Sequence, residues 1–175
     1  GGALYKGNGA RLDLTASTFL NNHAVRTDPD DSNTEGAGRG GAIYATGSTG
    51  SPTQGSYVGD CTFTSNVADQ GGAAVASWLE SWFFDATSFV DNVDVSDDEG
   101  LMRLQKGHIL VRACNFTTAQ RIVDHTTTDS TLDVYCSPTL TSANVWVCGG
   151  CEANYHDECG PVNDTNAFGF DVSWD

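Results

Sequence analysis

The sequence predicts an all-β solenoid, a tube of short parallel strands, because two motifs each occur three times. Gly-Gly-Ala starts at residues 1, 40 and 71, and Phe-x-x-Asn spans residues 19–22, 63–66 and 89–92. A repeated pattern of this kind is typical of proteins whose units bury their apolar faces against one another. Long helical periodicity is absent, and 20 glycines add to the turn-rich texture.

The spacing of the phenylalanines gives the length of one repeat. Phe89 lies 26 residues after Phe63, and Phe116 lies 27 residues after Phe89. Each repeat is therefore expected to supply two or three short strands, which pair in parallel with those of the next repeat about 4.8 Å away. Phe19 precedes Phe63 by 44 residues, so this interval contains additional chain.

Two polar stretches explain the long interval, because a single Gly-Gly-Ala falls inside it. These stretches, 26–40 and 47–56, are rich in Gly, Ser and Thr and predict loops. We assign residues 1–135 to the repeats, with a loop insertion at 23–39, and residues 136–175 to a cysteine-rich segment, predicted to be a cap or linker.

Each motif residue has an expected place in the tube. Glycine permits positive φ at a corner and leaves room for the neighbouring repeat. Asparagine tolerates the left-handed conformation, and stacked amides can bond along the axis. A simpler interpretation is that Asn is just a common turn residue. The predicted structural ladder consists of Phe19, Asn22, Phe63, Asn66, Phe89, Asn92 and Phe116, with Ala119 replacing the fourth asparagine.

These paired motifs resemble the repeats of chlamydial polymorphic outer membrane proteins and of similar secreted or cell-surface proteins of bacteria and protists. The resemblance covers roughly residues 1–120. It implies a right-handed parallel β-helix of the pectin-lyase-like kind, used in adhesion or in extracellular structures. It carries over no catalytic residue.

The composition restricts the possible partners and compartments. A net charge of −15 argues against binding to nucleic acid or to an anionic membrane surface. No apolar run approaches the roughly 20 residues of a membrane span, so we expect no membrane insertion in this segment. Because the sequence starts inside a motif, we expect it to belong to a longer, processed chain.

Cysteines and glycosylation sequons indicate an oxidising compartment. The chain has six cysteines, and sequons occur at Asn115 and Asn163. The protein is therefore predicted to be secreted, on the cell surface or in the extracellular space, with N-linked glycan at both asparagines. Asn115 is expected to face solvent, because the strand alternation turns Cys114 and Phe116 inward.

The disulfide candidates are Cys114, Cys136, Cys148, Cys151 and Cys159. Cys61 and Cys114 both lie two residues before a phenylalanine, so they should be about 9.6 Å apart, two strand spacings. A disulfide needs Cα atoms within about 7 Å, so these two should not pair. Cys114 with Cys136, one repeat later, is the expected bond, and two buried free thiols are the alternative.

The cysteine-rich segment permits a second interpretation. Residues 148–155 weakly resemble the start of ephrin-receptor-like cysteine repeats, which favours disulfides. Cys148, Cys151, His156 and Cys159 have a spacing close to that of a zinc knuckle. The apparent oxidising compartment argues against zinc, so no metal is assigned.

Catalysis is not predicted. Asp60, Asp85 and Arg112 lie near equivalent positions of successive repeats and could form a salt bridge as easily as bind a sugar. His23, His108, His125 and His156 share no spacing with a nucleophile. Calcium could bind the acidic loops at 28–31 and 94–100, but no ligands are assigned and no other cofactor is expected.

The predicted function is a structural segment of an extracellular glycoprotein, part of a filament, a surface appendage or a matrix. The alternative is an adhesin or autotransporter passenger, and a polysaccharide-active enzyme is less favoured. The expected partners are other subunits, bound end to end, or further repeats of the same chain.

Overall fold

A computed structural model describes residues 2–7, 10–27, 37–47, 55–96, 100–105, 107–117, 123–125, 130–140, 145–147 and 152–156. Every regular element in these ranges is a β-strand. None of these residues forms a helix long and apolar enough to cross a membrane.

The strands form four sheets. The first contains β1 (Leu4–Lys6), β5 (Ile43–Thr46), β9 (Val75–Trp78), β13 (Met102–Gln105), β16 (Val123–His125) and β18 (Val145–Val147). The second contains β2 (Asp13–Thr15), β6 (Ser56–Gly59), β10 (Trp82–Asp85), β14 (Gly107–Arg112), β17 (Ser130–Tyr135) and β19 (Glu152–His156).

The third and fourth sheets are smaller. The third contains β3 (Thr18–Leu20), β7 (Thr62–Thr64), β11 (Ser88–Val90) and β15 (Asn115–Thr117). The fourth contains β4 (His23–Ala24), β8 (Val67–Ala68) and β12 (Val93–Asp94).

All pairings within these sheets are parallel, and each sheet orders its strands as they occur along the chain. The prediction of an all-β chain with parallel strands is thereby confirmed. Each of the first three repeats supplies one strand to every sheet, which makes four strands rather than the expected two or three. The additional strand is the two-residue one after each Phe-x-x-Asn, too short to give a periodic signal.

Backbone conformation and close packing explain the Gly-Gly pair. Gly40 has a φ of 67°, a conformation that glycine adopts without strain. A Cβ on Gly41 would lie 2.1 Å from the carbonyl oxygen of Ala73 and 2.5 Å from that of Val67. A side chain at Gly41 would therefore collide with the backbone of the next repeat, so the motif requires glycine there.

Two other corners use residues with side chains in the left-handed conformation. Between the second and third sheets these residues are Ala16, Asp60, Ala86, Ala113 and Cys136, with φ between 44° and 51°. Between the third and fourth sheets they are Asn21, Ser65 and Asp91. Such a conformation costs roughly 1–2 kcal/mol per residue. Hydrogen bonds between neighbouring repeats offset it, as where the Asp60 N–H donates to the Asp85 carbonyl at 3.1 Å.

Inward side chains of the sheets meet in one apolar core. Its largest fully buried members are Trp82, Phe63, Phe84, Phe89 and Ile43. In the second sheet, the apolar residues that lie five positions before each phenylalanine are in register: Leu14, Val58, Phe84 and Val111. The core therefore runs continuously from one repeat to the next.

The predicted insertion at 23–39 begins too early. His23 and Ala24 form β4, which pairs with β8. Both ends of the segment 26–38 are hydrogen-bonded to the residues after β8. The Arg26 N–H donates to Asp69 at 2.8 Å, and the Gly38 carbonyl accepts from the Gln70 N–H at 2.9 Å. Most of the insertion, 28–36, lies outside the described residues.

The first and second sheets continue past the predicted boundary at residue 136. β18 pairs with β16, and β19 pairs with β17 over five residues. The part of the cysteine-rich segment that the structure describes thus extends the same sheets. The cap or linker stays a prediction.

Candidate functional site

The third sheet stacks the motif phenylalanines face to face. Ring centroids are 4.7 Å apart for Phe19 and Phe63, 5.0 Å for Phe63 and Phe89, and 4.8 Å for Phe89 and Phe116. Phe63 and Phe89 are completely buried. Because the strands are in register, each ring packs against the next, and the stack joins four consecutive repeats.

The asparagines form a hydrogen-bonded ladder beside this stack. The amide Nδ2 of Asn22 donates to Asn66 Oδ1, and that of Asn66 donates to Asn92 Oδ1, both at 2.8 Å. The same two oxygens accept backbone N–H groups at 3.0 Å. Asn66 and Asn92 also donate to the carbonyls of Phe19 and Phe63. This network bonds the buried amide of Asn66 on both sides of its repeat.

The asparagines do not adopt the left-handed conformation that was expected for them. Positive φ occurs one residue earlier, at Asn21, Ser65 and Asp91. The preceding residue makes the bend, and this directs the asparagine side chain inward, where it bonds to the adjacent repeat.

A second ladder, missed in the sequence, occupies the corner between the second and third sheets. Two residues before each phenylalanine, a hydroxyl or thiol donates to the carbonyl of the residue two positions earlier. The donors are Ser17, Cys61, Thr87, Cys114 and, after β17, Ser137, at 2.9, 3.2, 2.9, 3.3 and 3.1 Å. The signal was present, since Ser, Thr or Cys precedes every motif phenylalanine by two.

This ladder explains why the predicted Cys114–Cys136 disulfide is wrong. Cys114 is a buried free thiol, as is Cys61, whereas Cys136 is disulfide-bonded. Cys114 neighbours Ser137, whose Oγ accepts its N–H at 3.0 Å. Cys136 instead occupies the left-handed position beside Ala113. Burial raises the pKa of Cys114 to about 12.

The partner of Cys136 is outside the described residues, as are Cys148, Cys151 and Cys159. The alternative zinc site falls there too, apart from His156. Among the residues that the structure describes, no group of three or more His, Cys, Asp or Glu side chains could hold a metal ion.

Of the two sequons, one can be placed. Asn115 is exposed at the start of β15, between the buried Cys114 and Phe116. Its side chain therefore points away from the core. Asn163 lies outside the described residues.

The predicted trio of Asp60, Asp85 and Arg112 comes together only in part. Arg112 binds Asp85 through Nε at 2.8 Å and through Nη2 at 2.5 Å, and its guanidinium lies over the Phe83 ring. Gly59, not Asp60, occupies the matching position in β6. Asp60 is exposed at the corner. The arrangement is a bidentate salt bridge between adjacent repeats.

Three described histidine side chains each lie beside an aspartate of a neighbouring repeat. His108 Nε2 is 2.6 Å from Asp133, and His156 Nε2 is 3.4 Å from it. Burial alone would raise the pKa of Asp133, but hydrogen bonds from His108, Asn154 and His156 outweigh it, so the pKa lies below its ordinary value of 3.8. His23 is 2.9 Å from Asp69 in the same manner.

One buried ion pair gave no signal in the sequence. Lys6 in the first repeat binds Glu80 in the third, and both side chains are buried. Burial raises the pKa of Glu80, and the ammonium of Lys6 offsets part of the rise. Gly47 lies beside Glu80: a Cβ at position 47 would lie 1.9 Å from the Leu79 carbonyl oxygen and 3.1 Å from Glu80 Oε1.

Comparison with known proteins agrees with the motifs. The repeat of the Chlamydia polymorphic membrane protein matches residues 16–46, a stretch that includes Phe19, Asn22 and the second Gly-Gly-Ala. The resemblance proposed from these motifs is confirmed. No curated protein matches the chain, and no solved structure does.

Proposed function

We propose that this chain is a right-handed parallel β-helix that serves as a rigid structural segment of an extracellular protein. The observation that supports this proposal is the pair of continuous ladders: stacked Phe19, Phe63, Phe89 and Phe116 beside hydrogen-bonded Asn22, Asn66 and Asn92. Both ladders repeat the same contact along one axis. A segment built this way transmits load and resists bending because each repeat is bonded to its neighbours.

A location at the cell surface agrees with the matched repeat, which is named for a membrane protein of Chlamydia. The exposure of Asn115 agrees with glycosylation there, since an oligosaccharide needs an accessible asparagine. We propose N-linked glycan at Asn115 and Asn163 on a secreted protein, with no other resident cofactor. Calcium in the acidic loops stays a proposal without ligands.

End-to-end contact is the proposed mode of assembly. β1, β2, β3 and β4 are edge strands of the four sheets and lie at one end of the stack. Edge strands offer backbone N–H and C=O groups to a further strand. The partner would be another subunit or a further repeat of the same chain, and a filament, appendage or matrix would result.

Electron microscopy of negatively stained native material tests this function. Regular fibrils with an axial repeat are expected, and globular particles would contradict the proposal. Isolated rods would instead favour an adhesin or autotransporter passenger, the second candidate, to which the name of the matched repeat lends support. Intact-mass analysis checks the glycans, since an unmodified polypeptide would refute that part.

A further inference from the structure

The edge formed by β1, β2, β3 and β4 leaves one cross-section of the apolar core partly uncovered. The inward side chains of the first three of these strands are only partly buried: Leu4, Leu14 and Phe19. Their counterparts in register in the second repeat are completely buried: Ile43, Val58 and Phe63. A repeat laid against this edge would remove the remaining apolar surface from water, which is favourable.

Backbone donors at this edge lack acceptors. Between the first two repeats, three N–H groups donate to carbonyls of the preceding repeat: Tyr57 to Leu12 at 2.9 Å, Thr62 to Ser17 at 2.9 Å and Val67 to Asn22 at 2.8 Å. The residues in register with these donors are Asp13, Thr18 and His23. In the described part of the chain nothing accepts their N–H groups. A helix uses its carbonyls internally, so this row of donors fits the carbonyls of parallel strands.

The amide ladder is incomplete at the same edge. Asn66 Oδ1 accepts both the N–H and the Nδ2 of Asn22, and Asn92 Oδ1 accepts the same two groups of Asn66. Among the described residues, no donor reaches Asn22 Oδ1. The group that would complete the ladder is an asparagine one repeat earlier, and Phe19 has one ring face left for the phenylalanine that precedes such an asparagine.

The opposite end of the third sheet is closed by hydroxyls. The N–H of Cys114 donates to Ser137 Oγ at 3.0 Å, and that of Phe116 donates to Thr139 Oγ1 at 2.9 Å. Phe116 is only 5% exposed. Beyond β15, the described residues add no strand to this sheet, and no Phe-x-x-Asn occurs in the sequence after residue 92. The C-terminal end of a second copy therefore lacks the groups that the open edge requires.

We propose that the edge formed by β1–β4 binds a further repeat that carries Phe-x-x-Asn, and that it does not bind the C-terminal end of a second copy. The phenylalanine of that repeat stacks on Phe19, and its asparagine donates to Asn22 Oδ1. Three of its carbonyls accept the open N–H groups of Asp13, Thr18 and His23. This inference rests on the proposed end-to-end contact and specifies the partner in it.

The test adds one repeat to the whole chain. A copy of residues 72–98 placed directly before residue 1 brings its Val75 into register with Leu4, because Val75 lies 27 positions before Met102 in the natural pairing. Hydrogen exchange at the Thr18 and His23 amides should then slow by roughly tenfold or more, since both gain an acceptor. The amide of Leu132, in β17, should exchange as before and shows that the original chain is folded.

The matched control carries Phe89→Ala and Asn92→Ala in the added copy alone. It should leave exchange at Thr18 and His23 as in the natural chain. A copy of residues 40–71 placed before residue 1 has the same register and carries Phe63 and Asn66. Because its loop and outward residues differ, this second extension repeats the test independently of how well the first one folds.

Three results overturn the proposal. In the first, neither extension slows exchange at Thr18 and His23. In the second, the double-alanine control slows it as much as the natural motif, so that the edge accepts any strand. In the third, the natural chain alone becomes protected at these amides as its concentration rises, which shows that a second copy covers the edge.

These outcomes are distinguishable from those of microscopy on the native material. Fibrils, together with amides that neither extension protects, would retain end-to-end assembly and reject a Phe-x-x-Asn repeat as its partner. Protection of Thr18 and His23 by the extensions, without fibrils, would retain this partner and reject the assembly of subunits.

Discussion

The third sheet and the outward side of the second sheet follow the same repeat but are stabilised in different ways. In the third sheet, one type of contact recurs between all four strands, as with the stacking of Phe63 on Phe89. On the second sheet the type of contact changes from one strand pair to the next: Arg112 with Asp85 joins β14 to β10, and His108 with Asp133 joins β14 to β17. The molecule therefore has two kinds of contact: those that recur because the sequence motif recurs, and those that form between one particular pair of strands.

This difference has an energetic consequence. Substitution of one member of a ladder removes contacts to both neighbouring repeats, so two junctions between repeats are destabilised. Loss of one member of a single pair affects one strand junction, where solvent replaces part of the interaction. We therefore expect substitutions in the ladders to cost more than those on the outward side of the second sheet.

The largest effect is expected for Phe89→Ala. The ring is completely buried between Phe63 and Phe116. Truncation of a buried phenylalanine costs about 3–5 kcal/mol of unfolding free energy. Urea denaturation measures the change, and Leu20→Ala, with 55% of that side chain exposed, is the control. A loss below about 1 kcal/mol for Phe89→Ala would show that the stack contributes little.

The two classes of cysteine provide the second comparison. Cys136→Ser breaks a disulfide and should cost about 2–5 kcal/mol. Cys114→Ser keeps a corner donor to the Arg112 carbonyl and should cost less than about 1 kcal/mol. Thermal melting of both variants without reductant checks the order. If Cys114→Ser were the more damaging, the corner ladder would not be interchangeable among Ser, Thr and Cys.

Asn66→Ala tests the amide ladder. It removes the acceptor of two Asn22 donors and a donor to Asn92, in a buried position. Unsatisfied buried groups cost about 1–3 kcal/mol each, so a loss of about 2–3 kcal/mol is expected. Asn154→Ala, which removes one exposed hydrogen bond to Asp133, should cost well under half as much. Equal losses of unfolding free energy in the two variants would mean that the amide ladder contributes no more than one exposed hydrogen bond.

The same contrast shows what the sequence could predict. Phe19, Asn22 and their counterparts were recognisable because the contact they make in one repeat recurs in the next. The bond between Cys114 and Cys136 was predicted wrongly because a shift of one residue in register changes the side-chain neighbour. The register followed from β14 pairing with β17, which places Cys114 beside Ser137. Spacing alone could not distinguish these two neighbours.

Single pairs were harder to predict. The ion pair of Lys6 and Glu80 joins the first repeat to the third. No motif contains either residue, and their separation matches no multiple of the period. The Asp133 cluster likewise depends on β19, in a segment that has no Phe-x-x-Asn. Such contacts follow from the fold and leave no repeated pattern.

Acid should reduce the stability that Asp133 contributes through its hydrogen bonds with His108, Asn154 and His156. Because the folded-state pKa of Asp133 is lowered, its stabilising contribution is complete above the ordinary value of 3.8 and is lost as the pH falls through the folded value. The difference in unfolding free energy between the natural chain and Asp133→Asn should therefore stay constant above the ordinary pKa and shrink as the pH falls below 3.8. Denaturation at a series of pH values measures it. A difference that grew on acidification would contradict the assignment.

The smallest effect concerns the insertion after β4. Residues 28–36 can be replaced by a short Gly-Ser linker with a change within about 0.6 kcal/mol, because the cost of closing a loop depends weakly on its length. Removal of 26–39 should cost more, since it also deletes the Arg26 and Gly38 backbone bonds to Asp69 and Gln70. Asp69→Ala provides the matched control, because it removes the Arg26 and His23 contacts and leaves the chain length unchanged. If the replacement of 28–36 destabilised the protein as much as the removal of 26–39, residues 28–36 would themselves contribute to stability. The insertion would then be a packed element, as the ladders are, and not a loop.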